Sequence, residues 1–235
     1  MGAAIDPRKL LAEAIGVFTL VFAGAGSIVL SVGNAGIGLV EIALAHGLAI
    51  GLMVLALGYI SGGHFNPAVT AGFWVTRRIG SLEAAGYVLS QLVGGIVAAV
   101  LLVLLFPEGL RDASNLGTPA LGPGIEFAQG VGIEAVLTFF LVLVIFGTAV
   151  DRRGPNMVAG LAIGLSITMG ILAAGPLTGA ALNPARAVGP ALLTGDWTSH
   201  LVWWIGPIIG GVLAALLYHY VFAEPPEVVE ETTAL

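Results

Sequence analysis

The chain has 235 residues, of which 57% are hydrophobic and only 9% charged, with a mean hydropathy of +1.02 and a formal net charge of −6. A water-soluble domain carries about a quarter charged residues, so this composition excludes an ordinary soluble protein. Eight Lys and Arg spread along an acidic chain exclude a nucleic-acid surface, and the absence of Cys excludes disulfides, thiol catalysis and Cys-ligated metals.

A helix needs ~20 mainly apolar residues to cross a bilayer core. Six stretches meet that length, at about 9–31, 38–60, 82–106, 127–150, 157–175 and 199–222. The first follows Arg8-Lys9 like a signal peptide. It is nevertheless long enough to span, contains Glu13 and opens the first of two matching halves, which predicts a retained helix. Two shorter apolar segments begin at Asn66 and Asn183, after the second and fifth spans. Each has half the length of a span, so each is expected to enter the membrane and stop there.

Basic residues set the orientation. Arg8, Lys9, Arg77, Arg78, Arg152 and Arg153 all fall on one side of a six-span chain, which predicts that this side and both termini are cytoplasmic. The acidic tail, about 224–235, carries little weight in that rule. Of the remaining two, Arg111 lies in an outer loop and Arg186 belongs to the second short segment.

The two short segments carry the function. Asn66-Pro67-Ala68 returns as Asn183-Pro184-Ala185, 117 residues later, and Glu13 and Glu134 each stand early in the first helix of a half. With three spans per half, the repeats (about 8–108 and 125–222) must be inverted, and the short segments must approach from opposite sides. Paired interruptions of this kind mark a transport path at the repeat interface. Asn is a favoured N-cap and Pro a favoured first helical residue, so each motif reads as a helix start at mid-membrane.

The residues before each motif, Gly62, Gly63, His64 and Phe65 in one half and Gly179, Ala180, Ala181 and Leu182 in the other, are expected to be extended. Their carbonyls would face a cavity, because they cannot go unsatisfied in lipid. Asn66 and Asn183 would supply amide donors between the two carbonyl ladders, and Glu13 and Glu134 would accept backbone N–H groups of the loops. Each half-helix N-terminus carries about half a positive charge. At ~5 Å and an effective dielectric of ~20, each repels a cation by about 1.7 kcal/mol, a real barrier that Arg186 would reinforce.

Taken with six spans and the trailing Arg186, the paired motifs resemble those of the aquaporin (major intrinsic protein) family, over about residues 8–222. The resemblance implies an all-α membrane protein: six transmembrane helices and two re-entrant half-helices in one aquaporin-like domain, 1–235, assembled as a homotetramer with one pore per subunit. It implies a passive channel for water, with no enzymatic activity and no cofactor or metal, in the plasma (inner) membrane of a prokaryote.

Family members differ at an outer filter of four positions, which correspond here to His46, Ile171, Ala180 and Arg186. A strict water channel would show Phe at His46 and His at Ile171, whereas this quartet is similar to the plant tonoplast-type filter. A glycerol channel would show Trp at His46 and Asp after the Arg, where this chain has Ala187. Water is the expected permeant, with ammonia, urea or hydrogen peroxide as secondary candidates. The alternative in the same class is a small-neutral-solute facilitator for ammonia, urea or glycerol, with water as a minor substrate. An ion-coupled transporter would also have broken helices, but no carboxylate accompanies Asn66 or Asn183 as a coupling-ion site. An intramembrane enzyme would need a nucleophile with its base or a metal cluster, and the chain has no Cys and no His-x-x-x-His pair.

Overall fold

A computed structural model describes residues 5–224, so all but the first residue of the acidic tail lies outside the described residues. The elements in order are α1 (Pro7–Gly33), α2 (Leu39–Ser61), α3 (Pro67–Val75), α4 (Ser81–Leu105), α5 (Glu108–Ala113), α6 (Phe127–Ile145), α7 (Ala159–Thr178), α8 (Pro184–Thr194) and α9 (Val202–Leu217). π-Helical turns extend α6 through Phe146–Val150 and α9 through Tyr218–Phe222. Among the described residues six helices are long and apolar enough to cross a membrane, and their edges fall within a few residues of the predicted spans. Their outward faces carry Leu11, Leu48, Leu52, Leu89, Leu104 and Leu165, all more than half exposed. In water such a belt would drive aggregation; it fits a hydrocarbon surround.

The two short helices start at a local signal that α1 shares. Asp6, Asn66 and Asn183 cap α1, α3 and α8 with side-chain oxygens, and each is followed by Pro at the first helical position. Helices α3 and α8 have 9 and 11 residues, which at 1.5 Å per residue spans about half of a ~30 Å core.

Packing follows a two-fold pattern in which α1, α2, α3 and α4 correspond to α6, α7, α8 and α9. In the first half α1 packs on α2 and α4; in the second α6 packs on α7 and α9; α2 against α7 joins them. The half-helices are exchanged, α3 lying on α9 and α8 on α4. Paired glycines make these approaches possible. A Cβ on Gly94 would overlap the Ala14 carbonyl oxygen, and one on Gly210 would overlap that of Ala135. The next glycines seat the exchanged half-helices: Gly95 lies against the Ala185 carbonyl, and Gly211 would bring a Cβ to 2.8 Å from that of Ala68. Without a hydrophobic drive between helices in lipid, such backbone contact supplies much of the association.

On the face that carries Arg8, Arg78 and Arg153, here called the basic face, the extended ends of α6 and α9 are tied together. Asp151 accepts hydrogen bonds from the Arg153 backbone and guanidinium and from the Tyr218 hydroxyl, while Arg153 also donates to the Phe222 carbonyl. Those donors hold the Asp151 carboxyl well below the usual carboxylate range, so the tie is lost only as pH falls through that depressed value and is constant near neutrality.

Because the glycine contacts are between backbones, Gly94→Ala and Gly210→Ala should each destabilise the protein by about 2 kcal/mol or more. Gly132→Ala, on an exposed part of α6 with open space around it, should instead stabilise by up to about 1 kcal/mol. Melting in one detergent measures all three, and equal effects at Gly94 and Gly132 would contradict the packing account.

Candidate functional site

The two loops that precede the half-helices are held from behind by buried carboxylates. Glu13 Oε1 accepts from Ser61 Oγ at 2.6 Å and the His64 N–H at 3.0 Å, and Oε2 accepts from the Phe65 N–H at 2.6 Å and Gln91 Nε2 at 2.7 Å. Glu134 repeats the arrangement, taking Thr178 Oγ1 at 2.8 Å and the N–H groups of Ala181 and Leu182 at 2.9 and 2.8 Å. The loops are also fastened by their first carbonyls: Tyr87 Oη donates to Ser61 O at 2.6 Å, and Trp203 Nε1 donates to Thr178 O at 2.9 Å. Tyr87 is buried and belongs to this framework.

With their N–H groups drawn backward, the loops turn their other side to a central cavity. The expected extended conformation is replaced by alternation: φ is positive at Gly62, Gly63 and Phe65 and at Gly179, Ala180 and Leu182. A β-strand would send successive N–H groups to opposite sides, whereas two consecutive N–H groups here converge on one carboxylate, and left-handed residues are needed for that. Gly62 and Gly179 prove to be the left-handed C-caps of α2 and α7. Neither is among the residues around the central cavity, and Gly62 borders the wider mouth on the basic face.

That cavity is narrow. One wall is polar: Gly63, His64, Phe65 and Asn66 from one loop, and Ala180, Ala181, Leu182 and Asn183 from the other. The remainder is His46 and an aliphatic set, Leu20, Ile50, Val69, Leu141, Ile145, Ile163 and Ile167.

The two Asn side chains do more than cap. Asn66 Oδ1 accepts from the Ala68 N–H at 2.8 Å, and Asn183 Oδ1 from that of Ala185 at 3.0 Å. Each amide nitrogen then reaches across the two-fold: Asn66 Nδ2 donates to Leu182 O and Asn183 Nδ2 to Phe65 O, both at 2.8 Å. An amide carries two N–H groups, so each Asn keeps one for the cavity. Pro67, Ala68, Pro184 and Ala185 are buried where the two half-helices begin.

Away from the basic face, Arg186 is 1% exposed. Its Nη1 donates to Gly117 O at 2.9 Å, its Nη2 lies 3.5 Å from His46 Nε2, and its Nε has no partner among the described residues. His46 Nδ1 lies 2.8 Å from the Ile42 carbonyl. A carbonyl only accepts, so Nδ1 carries the proton and Nε2 of the neutral ring is an acceptor facing Arg186. Space for this ring comes from Gly24, where a Cβ would overlap it. Of the four filter positions, His46 and Arg186 thus meet, and Ala180 shares the cavity wall with His46. Ile171 is buried beside Gly175 and, like Arg186, stands outside the ring of residues around the wide part of the cavity. Sequence reasoning missed the Gly117 carbonyl, because Gly117 is one of four glycines between residues 107 and 126 and nothing in the sequence sets it apart.

Toward the basic face, His64 Nδ1 lies 3.1 Å from Thr70 Oγ1, and its ring packs against Phe73 and Tyr87. A wider mouth there is bordered by Lys9, Gly62, His64, Arg78 and Glu83. Among the described residues no group of three His, Cys, Asp or Glu could hold a metal ion.

Six apolar helices around a narrow cavity that is polar on one side define a membrane channel. Residues 4–218 match the family model described as "Major intrinsic protein". The chain is 45% identical to "Aquaporin TIP4-4" of Zea mays, over 92% of this chain and 86% of that protein. It is 41% identical to "Aquaporin Z" of Photorhabdus laumondii, over 92% and 98%. In three dimensions it is similar to the aquaglyceroporin of Plasmodium falciparum, with a TM-score of 0.81 and 25% identity over 92% of this chain and 96% of that one. The chain belongs to the major intrinsic protein family: it is an integral multi-pass membrane protein and a passive channel for water and small solutes, not an enzyme.

The carboxylates supply the test of this framework. Glu13→Gln or Glu134→Gln would put an amide NH₂ against N–H donors and should cost about 3 kcal/mol, read as a lower melting temperature and less monodisperse protein. Unchanged stability with altered proton flux would instead assign them a relay role.

Proposed function

We propose that the chain conducts water along osmotic gradients while excluding protons and ions. The observation that carries this reading is the cavity's division into one wall of carbonyls with two Asn donors and one wall of aliphatic side chains. A permeant that both donates and accepts hydrogen bonds exchanges its lost solvent partners for the polar wall, and the aliphatic wall offers nothing that would hold it in place. An ion would lose its hydration shell without replacement. It would also meet two helix N-termini and the Arg186 guanidinium, the means of exclusion established for aquaporin-type pores. Further parts of the same reading are that His46, Ile171, Ala180 and Arg186 form the selectivity filter, that the basic face is cytoplasmic, and that the protein is a homotetramer in a prokaryotic plasma membrane. The oligomer is checked by native mass spectrometry.

Stopped-flow shrinkage of proteoliposomes tests the main claim: osmotic water permeability should exceed that of empty vesicles, with no added proton leak. Arg186→Val should raise proton and cation leak while the fold survives, because the side chain lies at the pore and fills no apolar core. Loss of folded protein in detergent would make Arg186 a structural anchor instead.

A second permeant, ammonia, is favoured by the aliphatic surroundings of the cavity and by the methyl of Ala180 beside His46, which offer few competing donors. Internal alkalinisation of vesicles measures it. Ile171→His should lower ammonia permeation more than water permeation, and His46→Phe provides a second comparison. Wild-type vesicles no faster than bare lipid would remove ammonia from the reading.

A further inference from the structure

The carbonyl that holds Arg186 comes from an unusual piece of chain. Asn115, Leu116 and Gly117 have φ of 50°, 51° and 68° in succession. Leu has no intrinsic preference for that region, and three left-handed residues in a row persist only where their surroundings fix them. Leu116 is buried in the main core, and a Cβ on Gly117 would stand 3.0 Å from the backbone of Ala25. Those contacts set the depth of the hook but not its lateral position.

Lateral position comes from the segment that follows α8. Asn115 Nδ2 donates to Asp196 Oδ2 at 2.8 Å, and Thr118 Oγ1 and Thr194 Oγ1 are 3.3 Å apart. Asp196 is itself fixed, because its Oδ1 accepts from the Thr198 N–H at 3.0 Å and its own N–H donates to Thr194 Oγ1 at 3.3 Å. Thr194 ends the helix whose first turn carries Arg186. The bonds therefore close a ring: Arg186 to Gly117, Gly117 to Asn115 along the chain, Asn115 to Asp196, and α8 back to Arg186.

We propose that Asn115 and Asp196 are positioning residues for the filter: their bond clasps the outer loop to the end of α8 so that Gly117 O holds the Arg186 guanidinium in place. Among the described residues, the only other partner of that guanidinium is the long contact to His46. Opening the clasp frees the hook to shift, and Arg186 moves with it. The functional half of this proposal rests on the reading of Arg186 as the guard of the pore; the positional half does not.

The decisive variants reverse the clasp. Asn115→Asp places two carboxylates face to face and breaks it, while Asn115→Asp with Asp196→Asn restores one hydrogen bond with donor and acceptor exchanged. Asn115→Ala breaks it without adding charge and substitutes if Asn115→Asp fails to fold. In lipid, the distance from Arg186 Nη1 to the Gly117 carbonyl carbon, read by solid-state NMR with specific labels, should be short in wild type and in the double variant and longer in either single variant. An unchanged distance in both single variants overturns the proposal, whatever Arg186 does for selectivity.

Proton leak per unit of water flux is the second readout. It should rise roughly tenfold in the single variants, the factor expected from one lost hydrogen bond of ordinary net strength, and return to the wild-type level in the double variant. In an Arg186→Val background, Asn115→Asp should add nothing. An equal rise in that background would show that the new charge acts on the permeant directly and would overturn the functional half. Were Arg186→Val alone without leak, the guard reading would fail while the NMR distances still decided the clasp.

Discussion

The pore exists because two carboxylates are buried behind it. Ordinarily a charge taken out of water costs several kcal/mol, and it is kept only where hydrogen bonds replace its solvation. Glu13 receives four donors and Glu134 three, from elements distant in sequence. The same bonds answer the opposite problem, that of non-helical backbone inside a membrane, where unsatisfied N–H groups are as unwelcome as unsatisfied charge. Each deficiency satisfies the other. Since a peptide unit is planar with N–H and C=O opposed, pinning the N–H groups behind the loop determines what faces the cavity in front. A carboxylate whose oxygens are taken up by fixed donors is also poorly placed to pass protons on, which favours the structural role over a relay.

The two-fold pattern is close enough to make its departures informative. Ser61 and Thr178 do the same work, as do Tyr87 and Trp203, although the residue types differ. Gln91 adds a fourth donor to Glu13 and also reaches Thr70, and the second half has no counterpart to it. The largest departure lies three residues after each Asn. There the first half has Val69, an aliphatic wall residue, and the second has Arg186. One end of the pathway therefore carries a fully buried guanidinium, whereas the other opens at the wider mouth bordered by Lys9, Arg78 and Glu83. A symmetric scaffold gives the passage its shape, and a single unmatched side chain gives it an orientation.

Much of this was legible in the chain. The spans follow from hydropathy and length, the half-helices from Asn-Pro at their starts, and the inversion from counting three crossings per half. The role of Glu13 and Glu134 as acceptors for the loops could be expected from their matched register alone. Three things could not be read. Left-handed φ at Phe65, Ala180 and Leu182 contradicts the preferences of those residues and is imposed by convergence on the carboxylates. Tyr87 looks in sequence like any interfacial aromatic, because its partner, Ser61 O, is a backbone atom with no sequence signature. Gly117 meets Arg186 only through a tertiary contact across 69 positions. In each case the missing information is a backbone group whose partner lies far along the chain.

The crossed bonds of the two Asn residues carry the proposed mechanism one step further. With Nδ2 of each Asn bound to the carbonyl before the opposite motif, the amide planes cannot rotate freely, and the remaining N–H of each points into the cavity from a fixed place. A water at that level accepts from these donors, so its own hydrogens turn away toward the carbonyl groups on either side. Neither Asn nitrogen can accept a proton, and a water whose oxygen is engaged in this way cannot accept one from its neighbour without breaking those bonds. The crossed bonds also couple the halves, since displacing one loop shifts the donor that faces the other. Selectivity at the centre is then a consequence of rigidity: donors that could follow the permeant would lower the barrier for protons as readily as for water.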